Sequence, residues 1–425
     1  MNYKQNEKIL QVTEKTLVVG VDIAKEVHFA RAFNFRRIEL DIVFSFRNTL
    51  DGFDSFKRWV DRIMRDNGLD KLIIGFEPTG HYWRNFGEYC RNKDFKYVMV
   101  NPFHVKRSKE LDDNSQKKND RKDPKTIANL VIDGRYFETY VATGIYAELR
   151  NVVTVYEHVS GCKSVVDNKI TQWLDNYFPE FTTVFGNWEG KAAMITLNSF
   201  PLPSMIAELG ETKVLETWKK EIKQGVGKKR AHLLFVTSLN SVGCTEGLKM
   251  AAKELEYLLS EHEMYLKQLE EIKSEMEKLL TQVPGAKEVL EIKGMGIVSA
   301  ASIIAEIGDI SRFEDARQIQ KYAGLSLIEN SSGKHKGQTT ISKRGRKRLR
   351  SVLFRVILPM VAKNQEFKQL HLYYTTRKDN PLKKKQSLIL LSCKLIRIIF
   401  AIMKKKVPYD GSKLIKDIKR PAMAA

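Results

Sequence analysis

Apolar residues in the first 140 positions recur with strand and helix periods in turn. TLVVGVDIA (16–24), VHFARAFNF (27–35) and ELDIVFSFR (39–47) are rich in β-branched and aromatic residues and closely spaced, which predicts an antiparallel meander. A helix follows over 51–66, a buried strand over KLIIGFE (71–77), a second helix over 80–92 and a further strand over KYVMVNP (96–102). From about 145 the period becomes helical. Leu149, Val152, Tyr156, Val159, Val166, Ile170 and Trp173 follow 3-4 spacing. Further on, Leu248, Leu255, His262, Leu269 and Met276 fall at one seam position, and Ala251, Leu258, Tyr265, Ile272 and Leu279 at the other. Five heptads with Glu- and Lys-rich flanks predict a coiled coil, its helices packing on each other or on a partner chain. The segment 180–246 between them mixes Pro, Gly and helix signals, and its role is unassigned.

Three strands followed by helix–strand–helix–strand is the order of an RNase H-like α/β domain, in which two central strands deliver carboxylates side by side. The expected organisation is therefore an α/β RNase H-like domain (15–145), a helical coiled-coil linker with an insertion (146–284) and a mainly α C-terminal domain (285–425). That last region opens with VLEIKGMGIVSAASIIAEIGDISRF (289–313), where Lys, Gly-x-Gly and a small-residue helix suggest a helix-hairpin-helix-like element. Lys293, Gly294 and Gly296 would then offer a phosphate backbone N–H groups at a helix start. A glycine turn between core helices accounts for the two glycines equally well. The run SLILLSCKLIRIIFAIM (387–403) contains Lys394 and Arg397 and reads as a buried helix rather than a membrane span.

Charge sharpens this picture. The 425-residue chain carries a net charge of +21 and a pI near 9.6, which favours a phosphate-rich partner, although a membrane surface or a ribosome would attract it too. In KRGRKRLR (343–350) six of eight residues are basic. The cluster abuts a Gly/Ser/Thr loop, so Lys343, Arg344, Arg346 and Arg348 are expected to line a nucleic-acid groove; a solvated face is the alternative. Cys90, Cys162, Cys244 and Cys393 are scattered without metal-ligand spacing, which argues against zinc or a disulfide frame and suits a reducing cytoplasm. The polar start MNYKQNEKIL does not read as a signal peptide, and no P-loop is present.

The candidate chemistry lies in four carboxylates. Asp22 and Glu77 sit at the ends of apolar runs, and Asp120 and Asp123 are three residues apart at an expected helix start. Taken singly, each also fits a capping or surface role. Together they suit a hard cation, Mg²⁺ or Mn²⁺ in its place. A pair of such ions, roughly 3.5–4 Å apart, clamps the attacking and leaving oxygens of a phosphodiester. Ser331 and Ser332 lie in a polar loop, where chemistry alone gives neither a role as nucleophile, and neighbouring His335 reads as a phosphate contact or a bystander.

VGVDIAKEVHFA, FEPTGHYW, the Asn-Pro of VNPFHV and KNDRKDPKTIANL resemble the N-terminal RuvC-like domain of DEDD-type insertion-sequence transposases. IKGMGIVSAASIIAEIGDISRF, YAGLSLIENSSGKHKG and ISKRGRKRLR resemble that family's C-terminal transposase domain. The resemblance implies a tetrad of Asp22, Glu77, Asp120 and Asp123. It also implies a nucleophilic serine nine residues after Ala323, which is Ser332 before Gly333, with Ser331 one residue away. The family's Pro after AGL-x is absent here, where Leu327 and Ile328 stand. The implied activity is cleavage and rejoining of double-stranded DNA through a covalent phosphoserine, guided by a structured bridge RNA. The implied setting is a homo-oligomer, dimer or tetramer, in the prokaryotic cytoplasm at the nucleoid, with no membrane partner. Two other readings stand beside it: a RuvC-like metal-dependent nuclease using water, and a non-catalytic architectural nucleic-acid-binding protein.

Overall fold

A computed structural model of the chain describes residues 3–78, 80–112, 122–223, 227–328, 331–332, 335–336, 339–416 and 418. It divides into two compact units, 1–141 and 142–425.

The first unit runs α1 (Tyr3–Ile9), β1 (Thr16–Asp22), β2 (Val27–Phe33), β3 (Phe44–Arg47), α2 (Leu50–Asp66), β4 (Lys71–Phe76), α3 (Trp83–Asn92), β5 (Tyr97–Val100), α4 (Pro102–Asp112), α5 (Asp123–Ile132) and β6 (Tyr136–Phe137). The six strands form one sheet in the order β3-β2-β1-β4-β5-β6. Short turns make β1, β2 and β3 antiparallel, whereas the crossovers through α2 and α3 make β4 and β5 parallel to β1. The third strand starts later than its apolar pattern predicts. Asp41 turns the chain before it, accepting hydrogen bonds from its neighbour Ile42 N–H at 2.9 Å and from Trp59 Nε1 at 2.7 Å. Thr49 caps α2 by accepting from Gly52 N–H, and the helix lays Phe53, Phe56, Val60 and Ile63 on the sheet. Alternation along the strands sorts the core into two layers. Leu17, Val19 and Val21 face α2 and the aromatics Phe46, Phe53 and Phe86, while Val18, Ile73 and Val98 face Ile127 and Val131 of α5.

The second unit is helical: α6 (Ile145–Tyr177), α7 (Phe181–Phe185), α8 (Lys191–Ser199), α9 (Pro203–Glu221), α10 (Lys228–Leu239), α11 (Leu248–Thr281), α12 (Ala286–Leu290), α13 (Ile297–Ile307) and α14 (Ala316–Tyr322). Four two-residue strands follow, β7 (Leu327–Ile328), β8 (Ser331–Ser332), β9 (His335–Lys336) and β10 (Thr340–Ile341). The chain then continues as α15 (Lys347–Lys363), α16 (Gln365–Thr376), α17 (Lys384–Lys405) and α18 (Ser412–Ile415). Helices α6 and α11 pack antiparallel, with Trp173 Nε1 donating to the Ala251 carbonyl at 2.8 Å. Of the predicted seam, Ala251, Leu255, Leu258, His262 and Met276 are buried.

This helical pair joins two cores. At one end Leu149, Val153, Met276 and Leu280 pack with Ile303, Leu353 and Leu395. At the other, Ile170, Trp173 and Leu255 pack with Phe181, Ile206, Trp218 and Leu234 from α7–α10. The segment left unassigned by its sequence is thus the second core's cover. Helix α17 is long and apolar enough to cross a membrane by composition, yet Leu391, Leu395, Ile396 and Ile399 are fully buried against the rest of this unit.

Candidate active site

Glycines decide where the first acids stand. In the parallel register of β1 and β4, Gly20 lies opposite Gly75 and Val21 opposite Phe76, so Asp22 and Glu77 leave the sheet at the same end. Each acid is two residues after its glycine and shares that glycine's face, because side chains alternate. That face is covered by α5. A Cβ on Gly20 would lie 1.8 Å from the Pro124 carbonyl oxygen, and one on Gly75 would lie 2.4 Å from Val131 Cγ2. No larger residue lets the helix come this close. Its first residue is Asp123, adjacent to the Pro124 that seats on Gly20. Asp22, Glu77 and Asp123 are all half-buried at this end of the sheet. Asp120 lies outside the described residues.

The loop after Asp22 is fixed by side chains that its sequence pattern did not mark. His28 is fully buried among Phe46, Phe53 and Phe86. Its Nδ1 accepts from Ala24 N–H at 3.2 Å, which requires the proton on Nε2. Asn48 donates through Nδ2 to the Lys25 carbonyl at 3.1 Å. Burial holds the His28 pKa below its ordinary value, outweighing the opposing influence of Asn48. The sequence signal was a polar residue at an inward position of VHFARAF.

In the second unit, the backbone of β8 pairs with β9, Ser332 standing opposite His335 and Ser331 opposite Lys336. Gly333 lies outside the described residues. Nearby, β7 pairs with β10. The basic stretch after β10 is clamped to the end of α14. Lys343 N–H donates to the Gly324 carbonyl at 3.0 Å and Arg346 N–H to the Tyr322 carbonyl at 2.7 Å.

The four cations of this stretch then part company. Lys343 and Arg344 are exposed. Arg346 Nε donates to Glu306 Oε2 at 2.7 Å, and Glu306 is 1% exposed. Arg348 lies 2.7 Å from Glu157 and 3.6 Å from the other Glu306 oxygen. Arg346 and Arg348 therefore neutralise a buried carboxylate inside the fold. In the glycine turn, Gly294 adopts φ 98° and packs on Met360, while the Lys293 carbonyl accepts from Asn364 Nδ2 at 3.2 Å. Gly296 caps α13 in extended backbone and is exposed, as is Lys293.

A third set of ionisable groups joins α6 to α11. Ligand atoms of Asp167, Glu189 and His262 lie within 4.8 Å of one another. Lys163 already sits among them, 2.8 Å from Asp167 and 3.0 Å from Glu189. Burial alone would lower the Lys163 pKa, but its bonds to the two carboxylates outweigh that and hold it above the ordinary value. An ammonium thus stands where a metal cation would, and His262 Nδ1 bonds to Asp167 at 2.8 Å. This network ties the helices together rather than offering a vacant metal centre.

Comparison with known proteins identifies the family. Residues 19–179 match a model described as a transposase, of the DEDD type, and residues 286–372 match the transposase IS116/IS110/IS902 family. The chain is 30% identical over 132 residues to a putative transposase, y4rJ, of Sinorhizobium fredii, covering 30% of this chain and 33% of that protein. It is 30% identical over 121 residues to the pilin gene-inverting protein of Moraxella bovis, covering 28% and 37%. It is 22% identical over 240 residues to the insertion element IS116 uncharacterised 44.8 kDa protein of Streptomyces clavuligerus, covering 56% and 59%. The chain thus spans between about a third and three fifths of the length of these curated relatives. The two family matches together take in more than half of its own residues, and the chain belongs to the IS116/IS110/IS902 family of DEDD transposases.

Proposed function

We propose that this chain is a DNA recombinase of a mobile element, cutting and rejoining double-stranded DNA at a site formed by Asp22, Glu77, Asp120 and Asp123, with Ser332 as nucleophile. The observation that carries this reading is the parallel pairing of β1 and β4, which brings Asp22 and Glu77 to one end of the sheet beneath the start of α5. The strand order supports an RNase H-like, RuvC-like catalytic domain over 15–145. Residues 146–284 then serve as the helical linker and 285–425 as the serine-bearing transposase domain.

A donor set of carboxylate oxygens fits a hard divalent ion, Mg²⁺ or Mn²⁺, which when bound polarises the phosphodiester. Asp22, Glu77 and Asp123 hold their positions through the sheet and the α5 contact. Ser332 Oγ attacks phosphorus and loses its proton, the strand oxygen leaves with the bonding electron pair and takes up a proton, and a phosphoserine results. Attack by a strand hydroxyl reverses the step and frees the serine. Each stage exchanges one phosphoester for another, so no nucleoside triphosphate is consumed. A structured guide RNA and a homo-oligomer belong to the same reading; the net charge of +21 supports a polyanionic partner.

The test is a nicked suicide DNA substrate with the element's own ends, followed by mass spectrometry of the DNA-linked peptide. We expect a linkage at Ser332, lost in Ser332→Ala, with Asp22→Asn and EDTA abolishing cleavage while binding persists. A linkage at Ser331 would shift the nucleophile by one residue. Cleavage by Ser332→Ala without any adduct would mean water is the nucleophile. Full activity of Asp22→Asn would overturn the metal role.

A further inference from the structure

We infer that a groove between α6, α13 and α15 holds the sugar–phosphate backbone of a nucleic-acid strand. The inference rests on the reading of the chain as a nucleic-acid recombinase and gives that substrate a place in the helical unit. The groove encloses about 750 Å³. One wall is basic, with Lys347, Arg348 and Arg355 of α15. The other two are small and hydroxylated, with Ser160, Gly161 and Ser164 of α6 and Ser299 and Ser302 of α13. Lys347, Ser351 and Arg355 recur at i, i+4 and i+8 on one helical face. They span about 12 Å along the axis, long enough to follow successive phosphates rather than one.

The lining residues differ in what already engages them. Ser302 of α13 lines the groove and is itself 5% exposed. Serine hydroxyls on the lining can donate to a phosphate oxygen. Arg348 Nε and Nη2 are buried, their charge matched by Glu306 and Glu157 within the fold. Glu157 lies 2.7 Å from Nη2, a distance that balances charge without satisfying the N–H direction. The lining holds one aromatic, Tyr156. Lys347 and Arg355 are exposed and are the cations left to meet a phosphate, Arg355 also standing 3.5 Å from Glu157. Donors of this kind position a backbone and do not read bases.

Gly161 supplies a test that leaves the fold intact. It lies on the groove wall within α6, and a Cβ added there meets nothing within 4 Å. Gly161→Leu should therefore fill the groove mouth while favouring the helix. Binding of fluorescein-labelled oligothymidine and oligouridine to the full chain would be followed by anisotropy over a salt series, with thermal unfolding in parallel. We expect Gly161→Leu to weaken binding on the order of tenfold with no fall in melting temperature. Arg355→Ala should reduce the salt slope by about 0.7, one phosphate contact on a single strand. Lys287→Ala, on α12 away from the groove, should bind as the parent does. Loss on the RNA probe alone would assign the groove to RNA, loss on the DNA probe alone to DNA, and loss on both to either backbone. Parent-like binding and slopes in both groove variants would overturn this inference alone. Absence of nucleic-acid binding by the parent would overturn the proposed function with it.

Discussion

His28 and Glu306 are buried ionisable residues, each with a defined partner. His28 must stay neutral to accept from Ala24 N–H, and burial lowers its folded pKa from the ordinary 6.5. The unfolded chain therefore takes up the proton first. Stability is complete above pH of about 6.5 and falls as the pH drops through and below that value. His371, lowered by burial and by Lys384, acts with the same sign, so the measurement is a difference. The melting temperature of His28→Asn should fall less steeply between pH 7 and 5 than that of the parent. Equal slopes would show that His28 does not carry the dependence. Glu306 raises the opposite question, since its carboxylate is buried and Arg346 supplies the counter-charge. Arg346→Ala should destabilise by about 1–3 kcal/mol in chemical denaturation, less than a wholly isolated charge would cost because Arg348 remains within 3.6 Å. Restoration by Glu306→Gln in the double variant would identify the unpaired carboxylate as the cause.

Elements reach the candidate site through close packing. Helix α5 lies on the paired glycines Gly20 and Gly75, and this contact sets where Asp123 starts. Gly20→Ala drives a methyl into the Pro124 backbone, where no side chain can yield. Overpacking of this kind costs about 1–3 kcal/mol. Cleavage should fall together with stability, because α5 must move away from β1 to admit the methyl. A crystal structure or hydrogen exchange at α5 would register the displacement; unchanged protection there would refute it. In the helical unit, Leu255 is fully buried where α11 meets the cover formed by α7–α10. Leu255→Ala should lower stability by about 2–5 kcal/mol. A sedimentation coefficient unchanged from the parent would separate this packing within the chain from any contact between copies.

For the whole molecule the governing quantity is a net charge of +21, and the residues that express it are those without internal work. Arg344 is exposed, whereas Arg346 and Arg348 are engaged by Glu306 and Glu157. Arg344→Ala should flatten the salt dependence of duplex DNA binding by about 0.9, one phosphate contact, with no change in melting temperature. An unaltered slope would remove this loop from the interface. The sequence by itself determined the central strands, the long helices, the acidic residues and the family motifs. Period-2 and heptad patterns are written in local order, and the seam from Leu248 to Leu279 could be read without any partner. It equally determined the chain's own net positive charge. Only the tertiary structure decided that α6 and α11 pack on each other, since a seam carries no mark of which helix fills it. Only the structure gave 180–246 its task, because a covering layer of short helices has no period of its own. Only the structure turned Arg346 and Arg348 inward, for the carboxylate that claims Arg346 is 40 residues away. And only the register of β1 against β4 brought Asp22 and Glu77 to one end of the sheet, because pairing between residues 55 positions apart leaves no local mark, while the glycines let α5 close over both strands.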